Sequence, residues 1–429
     1  MPLNPDGLMK KLWLLILGRS DQQKYLALAR ARGLSEIGNA VRQAILALAI
    51  LSIRNKQEDL FLSETLESCG YFAMSFVAPF FIDRMRKTRA LIYSDILSLL
   101  NSALLIAGVL SNSLFLLFLG SFLMTFLSSL YSSSLYAVTA KYAGGEMRDL
   151  RIGLSYLQRN VLIGALIGLL ATSVALPHLP LVSFLIFDAV TFLLSSVWIY
   201  WVAKDDLASE VARRPKFASY RAFIGGLMRE WQEGLVGTLA MPSLQKILLG
   251  NVLTCFGYGV LESSVVSTQK LVLGFSHSLV TATRAVNRVT AIGGSVFVGK
   301  FSKKKRDWST RRFLFLGSVI SAIGTAMMTI ASTPLFVTSN AFYNFGWSFL
   351  NPTIGAHVAQ QIPESLLGRV QAFRSLLINL SILLGNVAVM FLVRWIPVQY
   401  LFGVTSLCFV MATLLWRNHQ TALFARGPK

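Results

Sequence analysis

Charged side chains set inside long apolar stretches are the residues of this sequence best placed to do chemistry. Arg42, Arg159, Arg284 and Arg288 are the basic ones, and Glu67 and Glu262 are acidic counterparts. A charge at the centre of a membrane span costs roughly 2.5–3.5 kcal/mol on insertion scales, so charges kept there mark a solute pathway or an internal ion pair. Helical spacing assigns each a set of polar neighbours. Ser35, Asn39 and Arg42 fall at i, i+4 and i+7, and His277, Thr281, Arg284 and Arg288 share one stripe. Asn251, Tyr258 and Glu262 form another, and Asn340, Tyr343, Asn344, Trp347 and Asn351 a further one. A helix with such a face cannot turn it toward lipid.

Two kinds of chemistry fit these stripes. Arginine stays charged at any working pH and grips carboxylates or phosphates bidentately. Asn39, Arg42, Arg159, Arg284 and Arg288, with Tyr258, Asn344 and Trp347, are therefore candidates for binding an anionic solute. The competing role is a strut, in which the arginines pair with Glu64, Glu67, Asp95, Asp188 or Glu262. The two roles weigh equally for Arg42 and Arg284, and the strut is favoured for Arg159 and Arg288. Glu262 and Glu67 are the candidates for proton coupling, since a carboxylate in a low-dielectric cavity can take up and release a proton near neutral pH. Each of the two could equally do no more than neutralise an arginine. Asp83, Asp95 and Asp188 read as packing and loop-locking residues.

Other chemistries find little support. His178, His277, His357 and His419 show no metal-ligand spacing. The phosphate-binding pattern GxxxxGK[ST] is missing, which argues against a nucleotide-driven pump, and no nucleophile with its base is recognisable. The sequence therefore points to neither an enzyme nor a cofactor. Cys69, Cys255 and Cys408 all lie in apolar segments and read as small buried hydrophobes.

The elements that hold these residues are spans. Of the 429 residues 54% are hydrophobic and 14% charged, and the mean hydropathy is +0.59. A soluble domain has about 25% charged residues, so this is an integral membrane protein. Windows of about 20 apolar residues fall near 34–53, 63–82, 88–110, 114–137, 152–175, 181–203, 243–266, 279–299, 312–331, 335–360, 371–393 and 397–416. The net charge of +20 is spread over short loops between these windows, with no basic face or domain, which argues against a nucleic-acid partner.

Alternate loops carry the positive charge. One set holds Arg84, Arg86, Lys87 and Arg89, then Lys141, Arg148 and Arg151, then the cluster from Lys204 to Lys246, then Lys300 to Arg312, then Arg369 and Arg374. The opposite set holds only Arg54, Lys56, Lys270 and Arg394. An excess of Lys and Arg marks the cytoplasmic side, which puts both termini there. The segment from Met9 to Ser20 has an apolar core too short for a signal peptide and reads as a cytoplasmic lead-in.

The stretch from Lys204 to about Ala240 is the longest polar one and carries Tyr220, Phe223 and Trp231, as an amphipathic helix between two bundles would. It divides the chain into an N-terminal bundle over 1–203, a linker over 204–240 and a C-terminal bundle over 241–429. The basic loop after the second span is matched by GKFSKKKRDWSTRR, 299–312, after the eighth. Parallel repeats of this kind are the plan of one large class of transporters.

With these residues in view the sequence resembles the major facilitator superfamily. In APFFIDRMRKTR, 78–89, Asp83, Arg84 and Lys87 match the family's loop signature, while Pro79 and Arg86 stand where its glycines are expected. Further stretches resemble the efflux branch that includes enterobactin exporters and macrolide efflux proteins. They are LSEIGNAV at 34–41, IYSDILSLL around Asp95, FLIFDAVTFLLSS at 184–196, EWQEGLVGTLAMPSLQKILL at 230–249 and NPTIGAHVAQQIPESLLGRVQAF at 351–373.

The resemblance implies an all-α fold of about twelve transmembrane helices in two six-helix bundles, with Asp83, Arg84 and Lys87 in a cytoplasmic gate loop. It also implies that spans 1, 4, 7 and 10 line a central cavity. The resulting expectation is a monomeric carrier in a bacterial inner membrane, with the surrounding lipid bilayer and a small-molecule substrate as its partners. It exports an anionic, siderophore-like metabolite by alternating access, coupled to protons. Import of the same ligand, efflux of macrolides or other hydrophobic drugs, and a non-transporting membrane receptor are the competing readings.

Overall fold

A computed structural model describes residues 21–54, 56–84, 87–142, 147–209, 220–304, 310–362 and 364–417. The lead-in from Met9 to Ser20, residues 210–219 of the linker, the centre of the 299–312 loop and His419 lie outside the described residues, as do the side chains of Asp83, Arg84 and Lys87. The described chain is helical throughout: α1 (Asp21–Arg54), α2 (Gln57–Arg84), α3 (Lys87–Leu110), α4 (Leu114–Tyr142), α5 (Met147–Ala175), α6 (Leu181–Ser209), α7 (Tyr220–Leu239), α8 (Pro242–Ser267), α9 (His277–Lys304), α10 (Thr310–Met328), α11 (Thr333–Gln361), α12 (Glu364–Leu392) and α13 (Leu401–Arg417).

Every apolar window of the sequence is occupied by one of these helices, and α7 is the additional helix in the polar stretch. Among the described residues nine segments are long and apolar enough to cross a bilayer. Among the described residues α2, α9 and α11 do not meet that length and apolarity, and they are helices on which the sequence places acids, arginines and asparagines. Outward-facing Leu100, Phe115, Ile167, Leu193, Leu194, Phe391 and Leu407 are exposed, as helices bathed in lipid require.

α1 is longer than its apolar window, because Arg30 and Arg32 interrupt the hydrophobic run without interrupting the helix. Arginine is a good helix former, and Arg32 pairs with Glu36 one turn on, 2.9 Å away. α12 likewise starts ahead of its window, at Glu364.

The chain forms two compact units. The first comprises Met1–Asp59, Cys69–Phe217 and His277–Ala285. Here α1 packs on α5 and α6, and α3 on α4 and α6. Ala27, Ala29, Ala31, Ala40, Ala44 and Ala49 are buried along α1, so its neighbours come close on several sides. The α1/α5 crossing is backbone on backbone: a Cβ on Gly164 would collide with the Gly33 carbonyl, and one on Gly168 with the Ile37 carbonyl. At Gly38 the approaching surface is Asp188 and Thr191 of α6. Small residues at helix contacts permit such an approach in a membrane protein.

The second unit comprises Leu60–Ser68, Ala218–Ser276 and Val286–Lys429. α8 packs on α12 and α13, and α10 on α11 and α13. Its core runs through Leu261, Leu314, Phe336, Tyr343, Phe402, Phe409 and Trp416. Beyond Ser267 the helix widens into a π-turn, Thr268–Val272, closed at Gly274 with φ +65° and by Lys270 Nζ donating to the Phe275 carbonyl.

Gly164→Val forces the α1/α5 crossing apart and is expected to destabilise the protein by about 1–3 kcal/mol. Gly293→Ala, at a position with open space, is expected to stay within about 0.5 kcal/mol of wild type. Thermal unfolding of both variants in the same lipid–detergent mixture measures the difference.

Candidate functional site

The first unit has a partly open cavity of about 140 Å³ lined by Arg32, Glu36, Asn39, Arg42, Gln43, Tyr71, Met124, Thr125, Ser128 and Ser132. Five of these lie on α1, at positions that repeat every three or four residues, and the helix presents them as one stripe. Tyr71 comes from α2, and the remaining four from α4.

A single polar chain runs along that stripe. Arg32 Nη2 lies 2.9 Å from Glu36 Oε2, and Asn39 Nδ2 donates to the same oxygen at 3.2 Å. Arg42 Nη2 donates to Asn39 Oδ1 at 2.6 Å, while Arg42 Nη1 lies 3.3 Å from Asp188 Oδ2 on α6. Ser102 of α3 donates to that carboxylate oxygen at 2.6 Å. Two arginines are thus balanced by two carboxylates. Both guanidinium groups also lie over aromatic rings, Arg32 at 4.7 Å from the Tyr131 centroid and Arg42 at 4.9 Å from that of Phe192. Arg42 is 1% exposed and Asp188 0%.

The pair leaves unused capacity. Arg42 Nε and Nη1 make no hydrogen bond, and neither does Asp188 Oδ1. A guanidinium presents five donors in a fixed fork, so Arg42 is both a strut between α1 and α6 and a donor surface at the cavity.

The remaining residues singled out by the sequence are distributed over both units. Arg284 is half-buried in the first unit, with Nη1 donating to the Gln43 carbonyl at 3.2 Å, one residue beyond Arg42. Arg159 is exposed on α5 and Arg288 is exposed on α9. In the second unit Tyr258 stacks on Trp347 with centroids 5.2 Å apart, and Tyr343 lies 6.2 Å from the same indole. Asn344 Nδ2 donates to the Asn340 carbonyl and to Asn340 Oδ1. Glu262, one turn beyond Tyr258, is half-buried, as is Glu67 on α2.

Sequence reasoning missed Arg32, Glu36, Gln43, Tyr71, Ser128 and Ser132. Starting the first span at residue 34 cut Arg32 from its stripe. The signal that could have found the pair was the Arg32/Glu36 spacing of four, followed by Asn39 and Gln43 on the same face.

The sequence model described as Major Facilitator Superfamily matches residues 62–310 and 247–426. The chain belongs to the major facilitator superfamily, and it is a multi-pass membrane transporter of the secondary type rather than an enzyme. No curated protein matches it in sequence. Among solved structures it is similar to a POT family transporter crystallised with a thioalcohol-conjugated peptide, at 13% identity and a TM-score of 0.74 over 90% of this chain and 94% of that one. A mutant of the peptide transporter POT in complex with alafosfalin is similar at 15% identity and a TM-score of 0.69, over 92% of this chain and 93% of that one. At such identities the likeness is one of fold.

Arg42→Met strands a buried, uncompensated Asp188 carboxylate and is expected to destabilise the protein by roughly 3–5 kcal/mol. The double variant Arg42→Met/Asp188→Leu removes both charges and is expected to recover most of that loss. Equal melting temperatures for the single and double variants would contradict the pairing.

Proposed function

We propose that this transporter exports a small organic anion of the siderophore-like, polycarboxylate kind from a bacterial cytoplasm by alternating access, coupled to protons. In this reading the protein is a monomer of the inner membrane with both termini cytoplasmic. Its six-helix bundles span 1–203 and 241–429, with the linker between them. Asp83, Arg84 and Lys87 belong to a cytoplasmic gate loop. Glu262 and Glu67 are the carboxylates proposed for coupling.

The observation that supports an anionic solute is Arg42 at a polar cavity, whose buried Nε makes no hydrogen bond while Nη1 faces Asp188. Carboxylate oxygens are the acceptors that match an arginine fork. Whole-ligand pockets hold about 300–1,000 Å³, so a cavity of about 140 Å³ receives one carboxylate arm of a larger solute. Asn39 and Gln43 supply neutral partners on the same stripe, and Arg284 stands next to Gln43.

A second reading, efflux of macrolides or other hydrophobic drugs, draws support from the stacked Tyr258, Trp347 and Tyr343. Flat aromatic surfaces with few charges suit an apolar ring system.

The test compares a strain lacking the protein with its parent in iron-poor medium, measuring iron chelator inside and outside the cells. Chelator retained inside the deletion strain is the expected result, restored by the wild-type gene. An Arg42→Lys variant keeps the charge next to Asp188 but loses the fork, and it is expected to restore at most about a tenth of the export. Normal secretion with lost uptake of the ferric chelator would overturn export in favour of import. No difference in either direction, with new drug susceptibility, would favour the aromatic reading.

A further inference from the structure

Asn39 joins the two charged ends of the α1 stripe. Its Nδ2 donates to Glu36 Oε2 at 3.2 Å, and its Oδ1 accepts from Arg42 Nη2 at 2.6 Å. One small planar group thus turns a donor toward a carboxylate and an acceptor toward a guanidinium. Neither end is used up by it. Arg42 Nε is buried and makes no hydrogen bond. Glu36 meets Arg32 Nη2 and Asn39 Nδ2 on the same oxygen, and a carboxylate has about four lone-pair sites, so acceptor capacity remains toward the cavity that Glu36 lines.

The facing wall comes from α4, which runs antiparallel beside this stripe. Arg32 lies over the Tyr131 ring, while Met124, two turns earlier on α4, belongs to the apolar cluster of Val41 and Ile45. Ser128, between them, therefore falls level with Glu36, and both residues line the cavity. A serine hydroxyl donates and accepts. Gln43 adds an amide beside Arg42 at the other end.

We propose that the solute arm taken by this cavity is an α-hydroxycarboxylate. Its carboxylate accepts from Arg42 Nε and from the Gln43 amide, and its hydroxyl donates to Glu36 and accepts from Ser128. Hydroxyl and carboxylate stand on one carbon, as the N–H and C=O of the Asn39 amide do, so the solute repeats the donor and acceptor pair with which Asn39 already bridges Glu36 and Arg42. An ammonium in place of the hydroxyl would stand beside Arg32, whose Nη2 is 2.9 Å from the same carboxylate, and like charges that close repel. A hydroxyl meets no such repulsion. The inference rests on the anionic-solute reading above and adds a second recognised group to it.

Titration calorimetry of the purified full chain in lipid nanodiscs and metal-free buffer compares citrate with tricarballylate, which differs only in lacking the hydroxyl. Citrate is expected to bind about 10–100-fold more tightly, the worth of one hydrogen bond to a charged acceptor. Arg32→Leu/Glu36→Leu removes the α1 ion pair as a whole and so strands neither partner of it. This double variant is expected to bring the two affinities together while tricarballylate still binds through Arg42. Glu36→Gln, which keeps the shape of the side chain, is expected to lower the preference as well. Equal affinities in wild type overturn hydroxyl recognition and leave an anion site, and a preference that survives the double variant overturns the role of Glu36. Aspartate binding more tightly than succinate, with no preference for citrate, assigns an ammonium and overturns the hydroxyl. If neither tricarboxylate binds, this inference and the anionic reading fall together, whereas failed export with the citrate preference intact counts against export alone.

Discussion

Inside lipid a charge has to find its counter-charge within the protein, and the arrangement of the first unit follows from that constraint. Arg42 could reach neither water nor headgroups from the middle of α1, so α6 must deliver Asp188 to it. That requirement fixes the helix crossing. α6 comes close enough only because residue 38, one turn before Arg42, has no side chain to hold α6 away. Ser102 then ties α3 to the same carboxylate, so three helices are registered by one ion pair. The alanines along α1 extend the close contact, and the apolar clusters on either side fill what the pair has positioned.

The second unit meets the same constraint by a different route. Among the described residues its polar contacts run largely through amides, hydroxyls and rings. Asn386 accepts from Ser263 and donates to Ser68 Oγ and to the Glu64 carbonyl, which gathers α8, α12 and the head of α2 in neutral hydrogen bonds. Gly259 and Gly385 let α8 and α12 meet backbone to backbone where that junction lies. Neutral groups cost less to bury than ions and hold less tightly. The two units thus offer different surfaces, one charged and cavity-forming, the other aromatic and amide-rich.

Much of this was legible in the sequence. Apolar runs at membrane-spanning length located the helices, because a bilayer leaves the backbone no alternative to intrahelical bonding. The stripe through Ser35, Asn39 and Arg42 was visible as spacing, and Asp188 stood among the acids that could pair with it. Which acid would pair was not legible, since that depends on the Gly38 approach and a tertiary crossing that no one-dimensional pattern records. Arg32 and Glu36 were lost for a different reason. Hydropathy windows end at charges, and an ion pair that neutralises itself along one helix looks to such a window like the edge of the membrane. The aromatic stack of Tyr258 and Trp347 was legible as two candidates on separate spans, but not as a contact.

That last limitation has a physical consequence for reading carriers of this kind. A self-neutralising pair such as Arg32 and Glu36 can remain in a span at lower cost than a lone charge, so the charges a hydropathy profile reads as the edge of a span can lie inside it. Arg42 has one acid, one amide and one ring to hold it, and its position is determined by all three. Arg32 has a carboxylate on its own helix and a tyrosine ring from α4, so its ion pair stays local to α1. Arg42, held from α6 and α3, and Arg32, held along its own helix, thus give one face of α1 a cross-helix anchor and a local pair ten residues apart.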